Sequence, residues 1–189
     1  MHISKCLINK VKDMLKKCLI IIYNAIRMIK KKNYKNILLI SPTTRIAAHK
    51  SSEYVIGKNF RTRNNIEINI REKGKFIVGN NVFINSNTII TCRDSISIGD
   101  NCIIAPNVMI FDHDHKIYNG QVKDNEYTCE SIEIGKNVWI GAGCTILKGS
   151  KIGENSIIGA QSIVKGEIPA NTIYIQKPNI VLRKINERG

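Results

Sequence analysis

Two histidines, His113 and His115, stand one residue apart in the segment DHDH, and they are two of the four histidines in the chain. Histidine titrates near neutral pH, so either residue could act as a general base that takes a proton from a weak nucleophile. A metal site is a weaker interpretation, because no third histidine or cysteine cluster lies nearby in the sequence. Taken alone, the residues are also compatible with two solvated loop histidines that have no function.

The elements that must position these histidines follow a period of six residues. Helices require apolar spacings of three and four, and a plain strand requires a spacing of two, so neither explains this pattern. A β-solenoid explains it, because short strands alternate with corners and three sixes make one triangular coil. The aliphatic side chains are expected to stack along the axis, where Ile146 and Ile152 should be buried. The full series is Ile134, Ile140, Ile146, Ile152, Ile158 and Val164.

The same pattern extends upstream, with a weaker first turn that begins at Ile56. Two intervals depart from the period, since Ile68 to Val78 is ten residues and Ile90 to Ile98 is eight. Small insertions are therefore predicted at the corners after Ile68 and Ile90. Asparagine often occupies the fourth position of the repeat, where it tolerates a left-handed backbone.

The longest interruption covers residues 111–131, which lack the aliphatic ladder although Ile110 and Ile134 remain in phase. This segment is predicted to leave the solenoid as a loop, and loops on a rigid scaffold often carry function. It contains both His113 and His115. If the segment is extended, His113 is expected to face the side opposite to His115.

Composition indicates one domain with an appendage, which we place at residues 41–189 and 1–40. The apolar content of 43% is ordinary for a globular protein. Six cysteines form no CxxC pair and show no metal-ligand spacing. Cys102 and Cys144 fall on the small fifth position of the repeat, which predicts that they are core residues. A reduced, cytoplasmic protein is expected.

The first 36 residues carry most of the excess positive charge. They hold ten Lys and Arg and one Asp, in a chain with a net charge of +14. Apolar residues recur at helical spacing, which predicts a basic amphipathic helix. Only nine uncharged residues separate Lys17 from Arg27, whereas a spanning helix needs about 20. Lysines throughout the segment are not the pattern of a secretory signal.

Two roles for residues 1–36 stay open from the sequence. The helix could lie on an anionic membrane, which would make the protein peripheral on the inner face of the cell membrane. Alternatively, it could pack its apolar face on the end of the solenoid or on a sister subunit. Nucleic acid is not predicted as a partner, because the basic residues lack interleaved aromatics and a recognised motif.

Two stretches carry a family resemblance. IGDNCIIAPNVMIFDHDH resembles the segment of hexapeptide-repeat acyltransferases that ends in the catalytic histidine. IGKNVWIGAGCTILKGSKIGENSIIGAQSIVKGEIPAN resembles the following coils, which carry the coenzyme A contacts. The similarity covers residues 54–185 and is strongest to the galactoside and maltose acetyltransferase branch, with its polysaccharide O-acetyltransferases.

The expected fold class is all-β. It is a left-handed parallel β-helix of hexapeptide repeats, with an N-terminal basic amphipathic helix and a protruding loop at about 111–131. Parallel crossovers are right-handed in about 98% of cases, so the left hand is implied by the resemblance alone. The resemblance also implies a homotrimer with active sites at the subunit interfaces, each using His115 of one chain and Trp139 of a neighbour.

The resemblance implies an acetyl-CoA-dependent O-acetyltransferase that acts on a sugar hydroxyl of a bacterial surface polysaccharide or its precursor. His115 occupies the position of the family's catalytic base and is expected to deprotonate the hydroxyl as it attacks the thioester. No acyl-enzyme is expected, because no Ser or Cys sits in a nucleophile motif beside His115. Two alternatives stay open, namely N-acetylation of an amino sugar and a non-catalytic solenoid that serves as a binding scaffold.

The acceptor and donor sites are assigned to separate residues. The predicted acceptor-binding residues are Asn85, Arg93, Asp114 and Tyr127. The predicted acetyl-CoA contacts are Trp139, Gly141, Ala142, Ala160, Lys165, Lys177 and Arg183. Asn85 could instead support a turn. No metal is expected.

Three positions depart from the family pattern. Gln176 stands where the family has glycine, and Ile180 stands where it often has a phosphate-binding arginine, for which Lys177 is expected to compensate. Arg93 replaces an acidic residue of galactoside-type members. A basic acceptor cleft favours an anionic or lipid-linked saccharide over a simple galactoside.

Overall fold

The computed structural model describes residues 39–177 and five residues near the N-terminus, at positions 12, 14, 15, 18 and 19. Those five are helical and exposed. The rest of the predicted amphipathic helix lies outside the described residues, so both roles expected for residues 1–36 stay predictions. The predicted donor contact Arg183 also lies outside the described residues. No helix in the described part of the chain is long and apolar enough to cross a membrane.

Residues 39–177 form six successive coils, with a hairpin inserted in the fourth. Coils 1 to 3 comprise β1 (Arg45–Ala48), β2 (Glu53–Ile56), β3 (Arg61–Thr62), β4 (Glu67–Ile70), β5 (Lys75–Val78), β6 (Phe83–Ile84), β7 (Ile89–Cys92), β8 (Ser95–Ile98) and β9 (Ile103–Ile104). Coil 4 comprises β10 (Met109–Phe111), the hairpin strands β11 (His113–Tyr118) and β12 (Gln121–Cys129), β13 (Ile132–Ile134) and β14 (Trp139–Ile140). Coils 5 and 6 comprise β15 (Thr145–Leu147), β16 (Lys151–Ile152), β17 (Ile157–Ile158), β18 (Ile163–Val164), β19 (Glu167–Ile168) and β20 (Ile173–Tyr174).

Each coil gives one strand to each of three parallel sheets. Sheet 1 has the order β1-β4-β7-β10-β15-β18, sheet 2 the order β2-β5-β8-β13-β16-β19, and sheet 3 the order β3-β6-β9-β14-β17-β20. This architecture fits the left-handed β-helix that the resemblance implies. The predicted all-β solenoid is confirmed.

The strand register confirms the predicted insertions. Ile146 pairs with Val164, which follows it by 18 residues, or three repeats. Ile68 instead pairs with Ile90, 22 residues later, and Ile90 pairs with Ile110, 20 residues later. The extra residues lie at corners, so the stacking of the strands is undisturbed.

The axis of the solenoid is filled by the predicted aliphatic ladder. Ile146 is fully buried and Ile152 is 3% exposed, as the period of six predicts. Cys102 and Cys144 are buried beside the ladder. Outside it, asparagines with left-handed backbones stack at one corner, and each side-chain amide donates to the next along the axis. This ladder consists of Asn59, Asn81, Asn101, Asn137, Asn155 and Asn171.

Candidate active site

Residues 111–131 leave the solenoid, as predicted, at the corner between sheets 1 and 2. The segment is not an irregular loop, because β11 and β12 pair antiparallel and place His115 opposite Tyr127. The turn is made by Asn119 and Gly120, both with positive φ. Asn-Gly is the strongest short signal for a hairpin turn, and it could have predicted this hairpin from sequence.

His115 is exposed on β11, with its Nδ1 atom 3.1 Å from the carbonyl oxygen of Lys123. A carbonyl oxygen only accepts, so this hydrogen bond requires the proton on Nδ1. The other ring nitrogen, Nε2, then carries a free lone pair in the neutral imidazole. The ring is supported by Tyr127, whose centroid is 4.8 Å away. This is the tautomer that a general base needs.

His113 is more buried, with 14% of its side chain exposed, and its Nδ1 lies 3.1 Å from Oδ1 of Asp112. Asp112 is fully buried and also accepts the backbone N–H groups of Arg93 and Asp94 from the corner of the preceding coil. Burial lowers the pKa of His113, while the hydrogen bond and charge of Asp112 act in the opposite direction. The pair of His113 and Asp112 anchors the end of the hairpin that joins the solenoid.

The expectation that His113 and His115 face opposite sides is wrong. Both rings contact Tyr127, with centroid distances of 5.5 Å for His113 and 4.8 Å for His115. The physical reason is the period of a strand, in which residues two apart point to the same face. Burial and hydrogen-bond partners distinguish the two histidines.

Two of the four predicted acceptor residues lie together beside His115. The guanidinium carbon of Arg93 stacks 3.3 Å from the centroid of Tyr127, whose hydroxyl donates to the carbonyl of Asp124 at 2.9 Å. Asn85 has a turn contact instead, because its Oδ1 accepts the backbone N–H of Ser86 at 2.8 Å.

Asp114, the remaining predicted acceptor residue, forms an ion pair with Lys148 at 3.3 Å. Sequence reasoning missed Lys148, which lies on the corner after β15. Its side chain is 11% exposed, and its Nζ is also 2.7 Å from Oγ1 of Thr128 and 3.6 Å from Oε1 of Glu130. This ammonium therefore joins both strands of the hairpin to the coil that follows.

Replacing Lys148 with methionine should loosen the hairpin and misplace His115. We expect kcat to fall about 10-fold to 100-fold, because small misplacements of reacting groups are costly. Affinity for coenzyme A should not change. Hydrogen exchange of the hairpin amides should become faster, which would identify a positioning effect.

The matched control for Lys148 is Lys116→Met on the same hairpin. Lys116 pairs with Glu126 at 3.1 Å, but both side chains are about half exposed, and exposed pairs contribute little. This variant should keep wild-type kcat and exchange rates. Equal losses in the two variants would contradict the positioning role of Lys148.

The predicted donor residues within residues 39–177 lie on the fourth and later coils. Trp139 is 50% exposed on the outer face of sheet 3. A Cβ atom on Gly141 would lie 2.6 Å from the backbone nitrogen of Ala160, so this close approach requires glycine. Within residues 39–177, the N–H groups of Ala142 and Ala160 have no protein acceptor, which leaves them available to a ligand.

Two further predicted donor residues are exposed, and no hydrogen bond or ion pair joins them to the hairpin within the described chain. Lys165 and Lys177 both lie on the surface near the C-terminal end of the solenoid. Gln176, which departs from the family pattern, accepts the backbone N–H of Ile163 at 2.8 Å. Among the described residues, no hydrogen bond or ring contact joins Trp139 to the hairpin of its own chain.

A thiol that the sequence did not single out stands opposite His113. Cys129 pairs with His113 across the hairpin. Its pKa is raised, with burial as the largest cause and Asp112 as a second one. A raised pKa disfavours the thiolate that nucleophilic catalysis requires. In the part of the chain that the structure describes, no group of three or more His, Cys, Asp and Glu could hold a metal ion.

Two family models match the solenoid. The model described as bacterial transferase hexapeptide (six repeats) matches residues 131–166, and that described as hexapeptide repeat of succinyl-transferase matches residues 75–111. The putative lipopolysaccharide biosynthesis O-acetyl transferase WbbJ of Escherichia coli is 31% identical over 139 residues, which cover 69% of this chain and 71% of WbbJ. This chain belongs to the hexapeptide-repeat acyltransferases. The family prediction is confirmed.

Another relative among the hexapeptide-repeat acyltransferases is the galactoside O-acetyltransferase of Escherichia coli. It is 41% identical over 111 residues, which cover 59% of this chain and 55% of that enzyme. The chain thus spans about half the length of this relative.

Solved structures of two acyltransferases share the fold. A variant of the N-acyltransferase AntD from Bacillus cereus, in complex with dTDP and coenzyme A, superposes with a TM-score of 0.71. It is 22% identical and covers 88% of this chain and 89% of its own. VCA0836 from Vibrio cholerae, complexed with acetyl coenzyme A, has a TM-score of 0.52 and 26% identity, covering 75% of this chain and 72% of its own.

Proposed function

We propose that this protein is an acetyl-CoA-dependent O-acetyltransferase that modifies a sugar hydroxyl of a bacterial surface polysaccharide or its precursor. The observation that carries the proposal is the hydrogen bond from Nδ1 of His115 to the carbonyl of Lys123. It fixes the neutral tautomer whose Nε2 can accept a proton, on an exposed hairpin next to an aromatic support. The identities with the galactoside enzyme and with WbbJ support an oxygen nucleophile.

The proposed reaction is a direct transfer. Nε2 of His115 takes the proton of the acceptor hydroxyl while the oxygen attacks the thioester carbonyl of acetyl-CoA. The tetrahedral intermediate collapses to the acetyl ester, the C–S bond breaks, and the proton passes from the imidazolium to the thiolate of coenzyme A. The raised pKa of the Cys129 thiol, which lies opposite His113 on the hairpin, argues against an acyl-enzyme at this cysteine.

N-acetylation of an amino sugar is the competing reaction, since AntD is an N-acyltransferase. The likeness to AntD at 22% identity concerns the fold, whereas the O-acetyltransferase relatives reach 31% and 41%. A thiol-release assay with acetyl-CoA and paired neutral and amino sugars, followed by mass spectrometry of the product, tests the proposal. An amide product, or no thiol release with any saccharide, would contradict it.

We propose that the active enzyme is a homotrimer, because sheet 3 has an apolar outer face. The outward side chains of five successive strands stack in register on this face. They are Phe83, Ile103, Trp139, Ile157 and Ile173. Ile103, Trp139 and Ile173 are 49%, 50% and 66% exposed, an apolar row that favours a partner surface. Trp139 would then reach the donor held beside His115 of a neighbouring subunit.

Replacing Trp139 with alanine should weaken acetyl-CoA binding about tenfold, because the flat indole ring would no longer cover the pantetheine arm. Isothermal titration calorimetry measures the change. Ile103→Ala is the matched control, since Ile103 pairs directly with Trp139 on the same row. Equal donor affinity in wild type and Trp139→Ala would assign Trp139 to subunit packing alone.

A further inference from the structure

Arg93 has a charged side chain without a charged partner. It lies at the corner between β7 and β8, where its backbone N–H binds Asp112, but its guanidinium makes no hydrogen bond or ion pair within the described chain. The Nε atom is buried and lacks an acceptor. A buried donor without a partner is costly, so a ligand that accepts a hydrogen bond from this group would be favoured.

Two carboxylates around the base of the hairpin are already engaged. Asp112 accepts the backbone N–H groups of Arg93 and Asp94 as well as the His113 ring. Asp114 pairs with Lys148. The five N–H donors of the guanidinium therefore remain available to a group that is not part of this chain's described residues.

The guanidinium of Arg93 lies close to His115, the proposed general base. The guanidinium carbon of Arg93 and the ring of His115 both contact Tyr127, at 3.3 Å and 4.8 Å from its centroid. Their separation cannot exceed the two distances combined, which one substituted sugar can span. Stacking on Tyr127 also holds the guanidinium plane, so that its donor edge is oriented in advance.

We propose that Arg93 binds an anionic group of the acceptor, a carboxylate or phosphoryl oxygen pair on the sugar whose hydroxyl His115 deprotonates. The inference rests on the proposed function and narrows its substrate class to acidic saccharides. Arginine binds such groups through two parallel N–H···O bonds, which would satisfy the buried Nε. The acidic group would fix the sugar and so select which hydroxyl meets the base.

The test compares three acceptors that differ at one carbon, namely a neutral hexose, its hexuronate and its 6-phosphate. Thiol release is measured with the full-length wild type, Arg93→Lys and Arg93→Gln. Wild type should prefer an anionic acceptor by about tenfold to hundredfold in kcat/KM, the usual worth of charge-assisted hydrogen bonds. Comparison of the hexuronate with the 6-phosphate shows whether Arg93 recognises a carboxylate or a phosphate.

In Arg93→Gln this preference should disappear, because KM should rise much more for the anionic acceptor than for the neutral hexose. Arg93→Lys should restore only part of it, because an ammonium cannot form the two-bond contact. The backbone N–H bonded to Asp112 is kept in both variants, so their melting temperatures should stay close to wild type.

Two outcomes would overturn the inference. Equal turnover of all three acceptors by wild type would show that no anionic group is recognised. Loss of the trimer in Arg93→Gln, with equal losses for all acceptors, would show that a carboxylate of a second copy pairs with Arg93. Saturation-transfer NMR with the hexuronate and with the 6-phosphate, without acetyl-CoA, separates the two proposals. Binding of either sugar that Arg93→Gln abolishes supports the anion site even if no sugar is acetylated, and binding of neither sugar to wild type overturns it.

Discussion

Replacing His115 with alanine is expected to lower kcat about 10²-fold to 10⁴-fold, the usual contribution of a positioned general base. The affinity for coenzyme A should remain unchanged, because the ring contacts the carbonyl of Lys123 and the side chain of Tyr127 and, among the described residues, no predicted donor residue. Steady-state thiol release gives kcat, and calorimetry with coenzyme A gives the donor affinity. The fold should be retained, since His115 is exposed.

His113→Ala is the matched control. His113 binds the buried Asp112 and packs against Phe111 and Tyr127. Its loss should therefore mainly lower the melting temperature and should have the smaller effect on kcat of the two histidine variants. His113, oriented by the buried Asp112, also has the geometry of a general base. The comparison of the two variants therefore decides which histidine is the base. Full turnover in His115→Ala together with loss in His113→Ala would move the base by two residues.

Replacing Ile152 with aspartate is expected to prevent folding. The side chain is 3% exposed and stacks between Ile134 and Ile168 on the axis of the solenoid. An unpaired carboxylate there costs several kcal/mol, a large part of the about 5–15 kcal/mol that stabilises a typical domain. Circular dichroism and size-exclusion chromatography should show lost β structure and aggregation.

Two variants calibrate that result. Ile152→Val, which only removes a methylene, should cost about 0.5–1.5 kcal/mol and leave a folded protein. Lys151→Gln changes the adjacent outward residue, whose ion pair with Glu133 is exposed on both sides, and should be nearly neutral. A soluble, cooperatively folded Ile152→Asp protein would contradict the axial position of Ile152.

The repeat made the solenoid predictable because each coil repeats the same local rule. A period of six places Ile146 and Ile152 on the axis and Cys144 at an inward corner, whatever the rest of the chain does. The corner insertions after Ile68 and Ile90 were predictable for the same reason, as breaks in phase.

The hairpin was less predictable because its contacts join residues that are distant in sequence. The buried Asp112 depends on the corner of the preceding coil at Arg93, and Lys148 reaches back from the following coil. Neither contact follows a period. Two local signals could have improved the prediction and were not used: the Asn119-Gly120 turn indicates a hairpin, and strand alternation places His113 and His115 on one face.

The register of the fourth coil has a consequence for how such enzymes can diversify. β10 pairs with β15 in the ordinary way, and Ile132 and Ile134 return to their places on β8, as if the intervening hairpin were absent. The segment that carries the proposed base, His115, is therefore an insertion at one corner of a frame whose strand pairing it does not interrupt. Exchanging it between relatives should transfer acceptor choice without redesign of the frame, provided that the receiving corner supplies an equivalent of Lys148.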